Sequence, residues 1–274
     1  MKLSTSIALL AISLCTSISN AQDSARVKKH RAGQLYFSWG YNRDWYSAST
    51  IHFVNNNPDP LKSYDFTLVD AAAHDKPDME GYWNLDRLTI PQYDFTIGYQ
   101  FNDKHDLGVE INWNHLKYVV TDWQNVRLKG QIHGTPIDRV APLDPDTVHL
   151  QHTNGNNYLL VNVTKRVKLL TTKHLEVGLI AKAGAGPLIS YTISSILLYY
   201  DPGYFHYHGW VVATSVGVRA SFLKYLFIQS DMQGAFANYT NTTMGSKRDG
   251  ISTQTFYSLQ WTWEGGVMIP IGKK

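Results

Sequence analysis

Ser252–Ile271 reads STQTFYSLQWTWEGGVMIPI, and taken alternately it is two different lists. One is Tyr257, Leu259, Trp261, Trp263, Gly265, Val267 and Ile269; the other is Ser258, Gln260, Thr262, Glu264, Gly266 and Met268. Side chains of a β-strand alternate between two faces, so the segment is a strand with one greasy, aromatic face and one polar, small face. A soluble sandwich would bury the greasy face. Where the pattern recurs in long strands behind an export signal, the greasy face meets lipid and the polar face lines the inside of a transmembrane β-barrel.

The pattern does recur. Leu35, Phe37, Trp39 and Tyr41 alternate with Gln34, Ser38, Gly40 and Asn42. Tyr93, Phe95, Ile97, Tyr99 and Phe101 alternate with Gln92, Asp94, Thr96, Gly98 and Gln100. Leu107, Val109, Ile111 and Trp113 alternate with Gly108, Glu110, Asn112 and Asn114; beyond Asn114 the apolar phase passes to Leu116, Tyr118 and Val120, which predicts a bulge. Further strands follow around Leu175–Ala183, Trp210–Phe222 and Leu226–Phe236, with a weaker one over 158–166. Gly178, Gly184 and Gly186 fall on one inner phase, where small residues leave room for side chains of the opposite wall.

The export signal is Met1–Ala21: Lys2, an apolar core from Ile7 to Leu14, and Ser19-Asn20-Ala21 with small residues at −3 and −1. It reads as a secretory signal peptide, cleaved before Gln22. Cys15 invites a lipoprotein reading, but Leu14 stands where a small residue is wanted. Cys15 is the single cysteine of the chain, so disulfides, thiolate metal sites and a cysteine nucleophile are excluded from the mature protein. Removing Lys2 from a formal net charge of +3 leaves a balance too even for a nucleic-acid argument. No mature segment reaches the roughly 18 uninterrupted apolar residues of a helical span, and the 13% of aromatic residues suits barrel girdles.

Loop lengths give a topology. Asn102–Asp106, Lys168–His174 and Leu223–Tyr225 are short connections, whereas 76–88, 122–156, 191–206 and 239–251 are long, and the two kinds alternate. Outer-membrane barrels have short periplasmic turns and long outer loops. A strand over Tyr64–Asp75 must then run outward, after one that ends near the turn cluster Asn55–Pro60, with a first hairpin between Asn42 and Phe53. The expected organisation is a signal peptide (1–21), a periplasmic segment (22–31) and an all-β, up-and-down antiparallel barrel (32–274) of about ten strands, both termini periplasmic. Eight or twelve strands stay open.

Seven charged residues occupy the inner phase: Asp94, Glu110, Glu176, Lys182, Arg219, Asp231 and Glu264. They form either a paired network inside a closed barrel or the lining of a narrow, cation-favouring path, with Arg166 a further partner for the excess acids. Acidic and histidine residues gather at outward strand ends: Asp70, His74 and Asp75, with Asp78 and Glu80; His206 and His208, with Asp201; and His149 with His152. His206 and His208 face the same way on an extended strand, an arrangement compatible with a metal. Ten-stranded outer-membrane proteases use Asp and His at the rim, but no motif of theirs is present. Lipid-modifying barrels need His, Ser and an acid; Ser190 and Ser195 lie near His206 without a characteristic spacing.

Tyr64-Asp65-Phe66-Thr67-Leu68, Ala73-His74-Asp75-Lys76-Pro77, Leu88-Thr89-Ile90-Pro91-Gln92-Tyr93 before Gly98-Tyr99, and His115-Leu116-Lys117-Tyr118-Val119 together resemble an outer-membrane β-barrel family of Bacteroidota bacteria. The resemblance covers Leu35 to Val120 by motif and the rest by pattern. It implies a fold and a bacterial outer-membrane location, with no activity attached. The end Ile271-Gly272-Lys273-Lys274 departs from the commonest outer-membrane pattern, which closes on an aromatic residue.

The role expected is non-enzymatic: a structural or interaction barrel, an accessory subunit of a larger outer-membrane complex being one form of it. The alternatives are a narrow channel for small polar solutes or cations, and a rim-site hydrolase acting on lipid A or peptides. No cofactor is expected. Expected partners are outer-membrane lipid and lipopolysaccharide, the barrel-assembly machinery and an outer-membrane protein, with no nucleic acid.

Overall fold

The computed structural model describes residues 33–101, 104–245 and 247–271; segments 1–21 and 22–31 lie outside them. In chain order the strands are β1 (Gln34–Tyr46), β2 (Ser49–Asn55), β3 (Tyr64–Ala71), β4 (Ala73–His74), β5 (Tyr93–Gln100), β6 (Leu107–Val120), β7 (Asn125–Ile132), β8 (Thr135–Pro142), β9 (Val148–Thr171), β10 (Leu175–Tyr191), β11 (Ile193–Ile196), β12 (Tyr199–Asp201), β13 (Phe205–Phe222), β14 (Leu226–Met244) and β15 (Gly250–Pro270). Two short 3-10 turns, Gly81–Trp83 and Leu85–Arg87, lie between β4 and β5.

Eight strands close a ring by antiparallel pairing, in the order β1, β5, β6, β9, β10, β13, β14, β15 and back to β1. Followed around the ring from Leu35, the partners are Tyr99, Val109, Val163, Ala183, Thr214, Gly234 and Leu259, and the row returns on Trp45, ten residues further along β1. That stagger on eight strands tilts them on the order of 40° and leaves an interior just wide enough for side chains to fill.

The ring is inside-out relative to a soluble protein. Val161, Val163, Leu179, Val212, Val216, Val218 and Ile228 are exposed on its outer wall. Towards the long-loop end an aromatic band takes over, with Trp39 stacked on Tyr93, and Trp210, Phe236 and Tyr257 in successive contact. Inward residues of the same strands are polar and buried. A bilayer imposes this arrangement, and the fold is a transmembrane all-β barrel. On β13 the exposed aliphatic belt ends at Val212, and the exposed side chains above it are the aromatic Trp210, Tyr207 and Phe205. Gly209 follows Trp210 outward at φ 152 with a register shift against β10, so His208 and His206 lie outside the spanning part.

The expectation of about ten strands is corrected to eight. No hairpin turns the chain between Asn42 and Phe53. β1 pairs with β15 from Pro270 up to Ser258, and β2 then pairs with β15 from Gln254 to Ile251, so β2 continues the direction of β1 after a jog at Ser47. β3 returns antiparallel to β2, so Tyr64–Ala71 runs towards the membrane, not outward. β3 carries β7, β7 carries β8, and this sheet stands on the rim of the ring instead of entering it. The predicted loop 122–156 accordingly contains β7, β8 and the start of β9; 191–206 contains the β11–β12 hairpin; and strands β14 and β15 extend into 239–251 as far as Met244 and Gly250.

The apparent phase slip after Asn114 has a different cause. Asn112, Asn114, Leu116, Tyr118 and Val120 are all buried on one continuous inner phase of β6. What changes is the interior, which turns from polar to apolar as the strand leaves the membrane. Leu116, Tyr118 and Val120 join Phe53, Phe66, Leu68, Leu128, Leu150 and Phe256 in a hydrophobic core above the ring. The bulge sits on β9, where the register against β6 shifts between Leu116 and Tyr118.

Candidate functional site

The centre of the barrel is a closed polar network. Lys182 on β10 places Nζ 3.2 Å from Glu110 Oε1 and 3.2 Å from Asp231 Oδ2. Glu110 also accepts from the Tyr36 hydroxyl (2.8 Å) and Asn162 Nδ2 (3.0 Å). Arg219 lies with its guanidinium 4.7 Å from the Tyr36 ring and 4.2 Å from the Phe227 ring, and donates Nε to Gln229 Oε1 at 2.6 Å. Gln229 in turn donates to Asp231. Ser38 donates to Glu264 (2.6 Å), and Asn42 and Asn114 donate to Asp94 (3.1 and 2.5 Å). Two glycines make the packing possible. A Cβ on Gly98 would meet the Tyr36 ring, and one on Gly217 would meet the Asp231 carboxylate.

The inner-phase charges Asp94, Glu110, Lys182, Arg219, Asp231 and Glu264 are therefore brought together, each no more than 8% exposed. The seventh, Glu176, sits apart at the short-turn mouth, 3.3 Å from Arg166 and 3.4 Å from Lys168, both of which also pair with Asp106. A cavity of about 140 Å³ opens there among Gln34, Arg166, Lys168, Lys173, Glu176 and Lys224. At the midsection the space bounded by Lys182, Ser215, Asp231, Thr262 and Glu264 is about 10 Å³, room for about one water molecule. Ser215 Oγ, Asp231 Oδ1 and Thr262 Oγ1 have no protein hydrogen-bond partner around it.

Above the polar layer the interior is sealed by rings. Tyr118 stacks on Phe256 at 4.7 Å, His152 stacks on Tyr239 at 4.9 Å, and Tyr46 meets both Tyr118 and Phe256 edge-on. His152 Nδ1 meets Thr192 Oγ1 at 2.7 Å, and His208 Nδ1 meets Thr242 Oγ1 at 2.8 Å. Burial, helped by the neighbouring His208 and His206, pushes the His152 pKa well below the ordinary histidine value. Burial, helped by His206, pushes His208 down to about 3.

The rim residues do not converge. Asp70 and His74 are exposed, the former in left-handed backbone at φ 55. Asp75 is engaged by Arg43 Nε at 2.7 Å and by the Asp44 main-chain N–H at 3.3 Å. His206 and His208 belong to β13, their ring centroids 3.8 Å apart. His208 is fully buried, a correction to its rim placement: the bulge at Gly209 turns it under the core. No hydrogen bond or ion pair among the described residues joins the two sets, and no three His, Cys, Asp or Glu among them are placed to hold a metal ion. The Ser190 hydroxyl meets Asn156 and the Tyr239 hydroxyl, whereas His208 Nε2 reaches its main-chain carbonyl at 3.0 Å. That geometry makes no nucleophile–base pair.

The sequence reading missed Tyr36, Ser38, Asn42 and Asn162 as members of the network, and Asp44, which accepts from Gln92 at 2.5 Å. Their signal was present: all lie on inner phases. A buried carboxylate is satisfied by amide and hydroxyl donors as well as by cations, so charge alone does not pick these residues out. The glycines on β10 also serve a different purpose from the expected one. On the adjacent strand β9, a Cβ on Gly184 would strike the Asn162 side chain and the Val161 carbonyl, and one on Gly186 the Leu159 carbonyl; neither would meet side chains of the opposite wall.

No family model matches the chain, and no curated protein matches it. Among solved structures it is similar to Ail, the attachment invasion locus protein of Yersinia pestis, in complex with the heparin analogue sucrose octasulfate. The identity is 11% over 86% of this chain and 99% of that one, with a TM-score of 0.32. It is similar to the outer membrane protease OmpT from Escherichia coli at 10% identity, over 90% and 99% of the two chains, with a TM-score of 0.34. Neisserial surface protein A gives 9% identity over 86% and 97%, with a TM-score of 0.31. Likenesses this distant say nothing about what the present barrel binds.

Proposed function

We propose that this chain is an integral barrel of the bacterial outer membrane, both ends periplasmic, with a filled and non-conducting interior, and that its working part is the β-sheet raised at the long-loop end. The observation that carries the reading is the Lys182–Glu110–Asp231 network beneath an apolar core: the ring is plugged twice, by two unlike chemistries. A conducting path needs continuous wet space, and the space at the midsection is about 10 Å³. A hydrolase needs a convergent rim site, and the rim residues are spread over β3, β4, the residue after β4, and β13. What remains is a stable, lipid-held platform that presents β2, β3, β7 and β8 to another macromolecule, as an accessory subunit would.

The test is reconstitution into a planar bilayer, with mild-SDS gels of unboiled and boiled membrane fractions alongside. A heat-modifiable band without steady conductance steps is expected. Steady steps lowered by Glu110→Gln would make the protein a channel and overturn the reading.

A further inference from the structure

β5 begins at Tyr93, whereas its neighbours run on towards the long-loop end, β1 to Tyr46 and β6 to Val120. β4 bridges the two only at their far ends, opposite Trp45 and opposite Val119 and Val120. On this flank β1 has no strand partner from Asn42 to Asp44 among the described residues, so the wall has a seam. Unpaired main-chain groups are not tolerated against lipid, and the segment between β4 and β5 takes them up. Asn42 N–H donates to the Gln92 carbonyl (3.0 Å), the Tyr82 hydroxyl donates to the Asn42 carbonyl (3.4 Å), and Asp44 N–H donates to the Asp75 carboxylate (3.3 Å).

The same segment lies on the outside of the wall. The Tyr82 ring meets Tyr41 at 5.0 Å and Trp263 at 5.9 Å, both on outward phases. That contact is part-way along the lipid-facing belt, not at its upper edge. β15 continues past Trp263 towards the long-loop end with Trp261, Leu259 and Tyr257, all exposed. The segment itself exposes Met79 (60%), Leu88 (40%) and Ile90 (50%). It closes its own main chain in two 3-10 turns. Gly81 N–H donates to the Asp78 carboxylate, Asn84 N–H to the Gly81 carbonyl, Arg87 N–H to that of Asn84 and Ile90 N–H to that of Arg87. Its charges are Asp75, Lys76, Asp78, Glu80, Asp86 and Arg87, four acids against two bases, so it offers a phosphate no surplus of cations.

We infer that residues 78–91 form a lipid-contacting flap, lying in the leaflet at the long-loop end with Met79, Leu88 and Ile90 among the acyl chains. Continuity with the belt names the occupant. A segment packed on the outer side of the wall, at a level where the next strand still faces hydrocarbon, has lipid as its outer neighbour. Interfacial segments sink apolar side chains about 5–10 Å into the boundary between headgroups and acyl chains, and long charged side chains reach back to the water. Glu80, Asp86 and Arg87 then stand in the headgroup layer. The stretch 76–88, expected as an outer loop, is thereby part of the membrane surface of the barrel. The inference rests on the barrel standing in a bilayer and is independent of the platform reading.

Cys15, in the stretch read as the signal peptide, is the single cysteine of the chain, so one label can be placed at a time. The test puts the fluorophore bimane on Met79→Cys, Leu88→Cys and Ile90→Cys. Val216→Cys on the belt and Val140→Cys on the raised sheet serve as references. Each is made in the full mature chain, in phosphatidylcholine vesicles, with phosphatidylcholine brominated along its acyl chains as the quencher. All five positions are exposed, so each labelled protein should keep its heat-modifiable band. Quenching at 79, 88 and 90 is expected within about twofold of that at 216, with none at 140. No quenching at 79, 88 and 90 while 216 is quenched would overturn the flap and leave the barrel in its bilayer. Iodide in the water phase would then name the alternative: a quenched label stands in water, a shielded one stands against protein. No quenching at 216 would remove the lipid belt and overturn the flap with it.

Discussion

Lys182 reaches past the whole of β9 to set its ammonium 3.2 Å from Glu110 Oε1 on β6. The same ammonium lies 3.2 Å from Asp231, two strands away on the other side. One cation thus ties three staves of the ring. A buried ion pair adds little stability over an apolar core of equal volume, but removal of one partner strands the others.

Lys182→Met should therefore cost about 3–5 kcal/mol, because two buried carboxylates lose their cation. The triple variant Lys182→Met/Glu110→Gln/Asp231→Asn should recover most of that loss. Urea unfolding in lipid vesicles, followed by tryptophan fluorescence, measures both. A single variant as stable as wild type would show that the network is not what closes the barrel.

Gly98 and Gly265 should respond in opposite senses. The Tyr36 ring occupies the space a Cβ on Gly98 would need, whereas an added Cβ on Gly265 meets nothing within 4 Å. Gly98→Val should destabilise by about 1–3 kcal/mol through overpacking and weaken the Tyr36–Glu110 hydrogen bond. Gly265→Ala should gain roughly 0.5–1 kcal/mol by stiffening the strand. The unfolding midpoints of the two variants decide the matter.

Val216 on β13 and Val140 on β8 are 60% and 68% exposed, yet they face different media. Val216→Arg should cost about 2–4 kcal/mol, the effect of a cation at the lipid face. Val140→Arg should stay within about 0.5 kcal/mol of wild type, as at a watered surface. Equal costs would mean that the belt does not meet lipid.

Acid should loosen the long-loop end first. His152 and His208 are held neutral in the fold, while the unfolded chain protonates each ring below about pH 6.5. The unfolded state then binds more protons, so stability is undiminished above that pH. It falls on acidification by about 1.4 kcal/mol per pH unit for each ring, down to about 3 for His208. Near-ultraviolet circular dichroism of the surrounding tyrosines should report a loss of packing as the pH falls from about 6.5 towards about 3. His152→Gln/His208→Gln should flatten that response, and a wild-type signal independent of pH would contradict the assignment.

The placement of the individual residues follows the same divide. Glu110, Lys182, Asp231 and Glu264 could be assigned to the barrel interior from alternation alone, because inner phase is a local property of a strand. Their mutual distances could not, since Glu110 and Lys182 are neighbours only through the stagger of the ring. His208 was misplaced because one bulge beside Gly209 moves it from rim to core, and a bulge leaves no mark on composition.

The period-two pattern by itself determined that the chain forms long two-faced strands with an apolar wall and a polar lining, since alternation is fixed by the geometry of each strand. It could not determine the number of staves. Ile51, Phe53, Phe66 and Leu68 alternate as regularly as any membrane strand, but their apolar faces close on a core. Only the tertiary structure decided between lipid and core, through the pairing of β15 with β1 along its lower length and with β2 along its upper length. Both environments reward the same alternation, and hydrogen bonding between distant strands chooses between them.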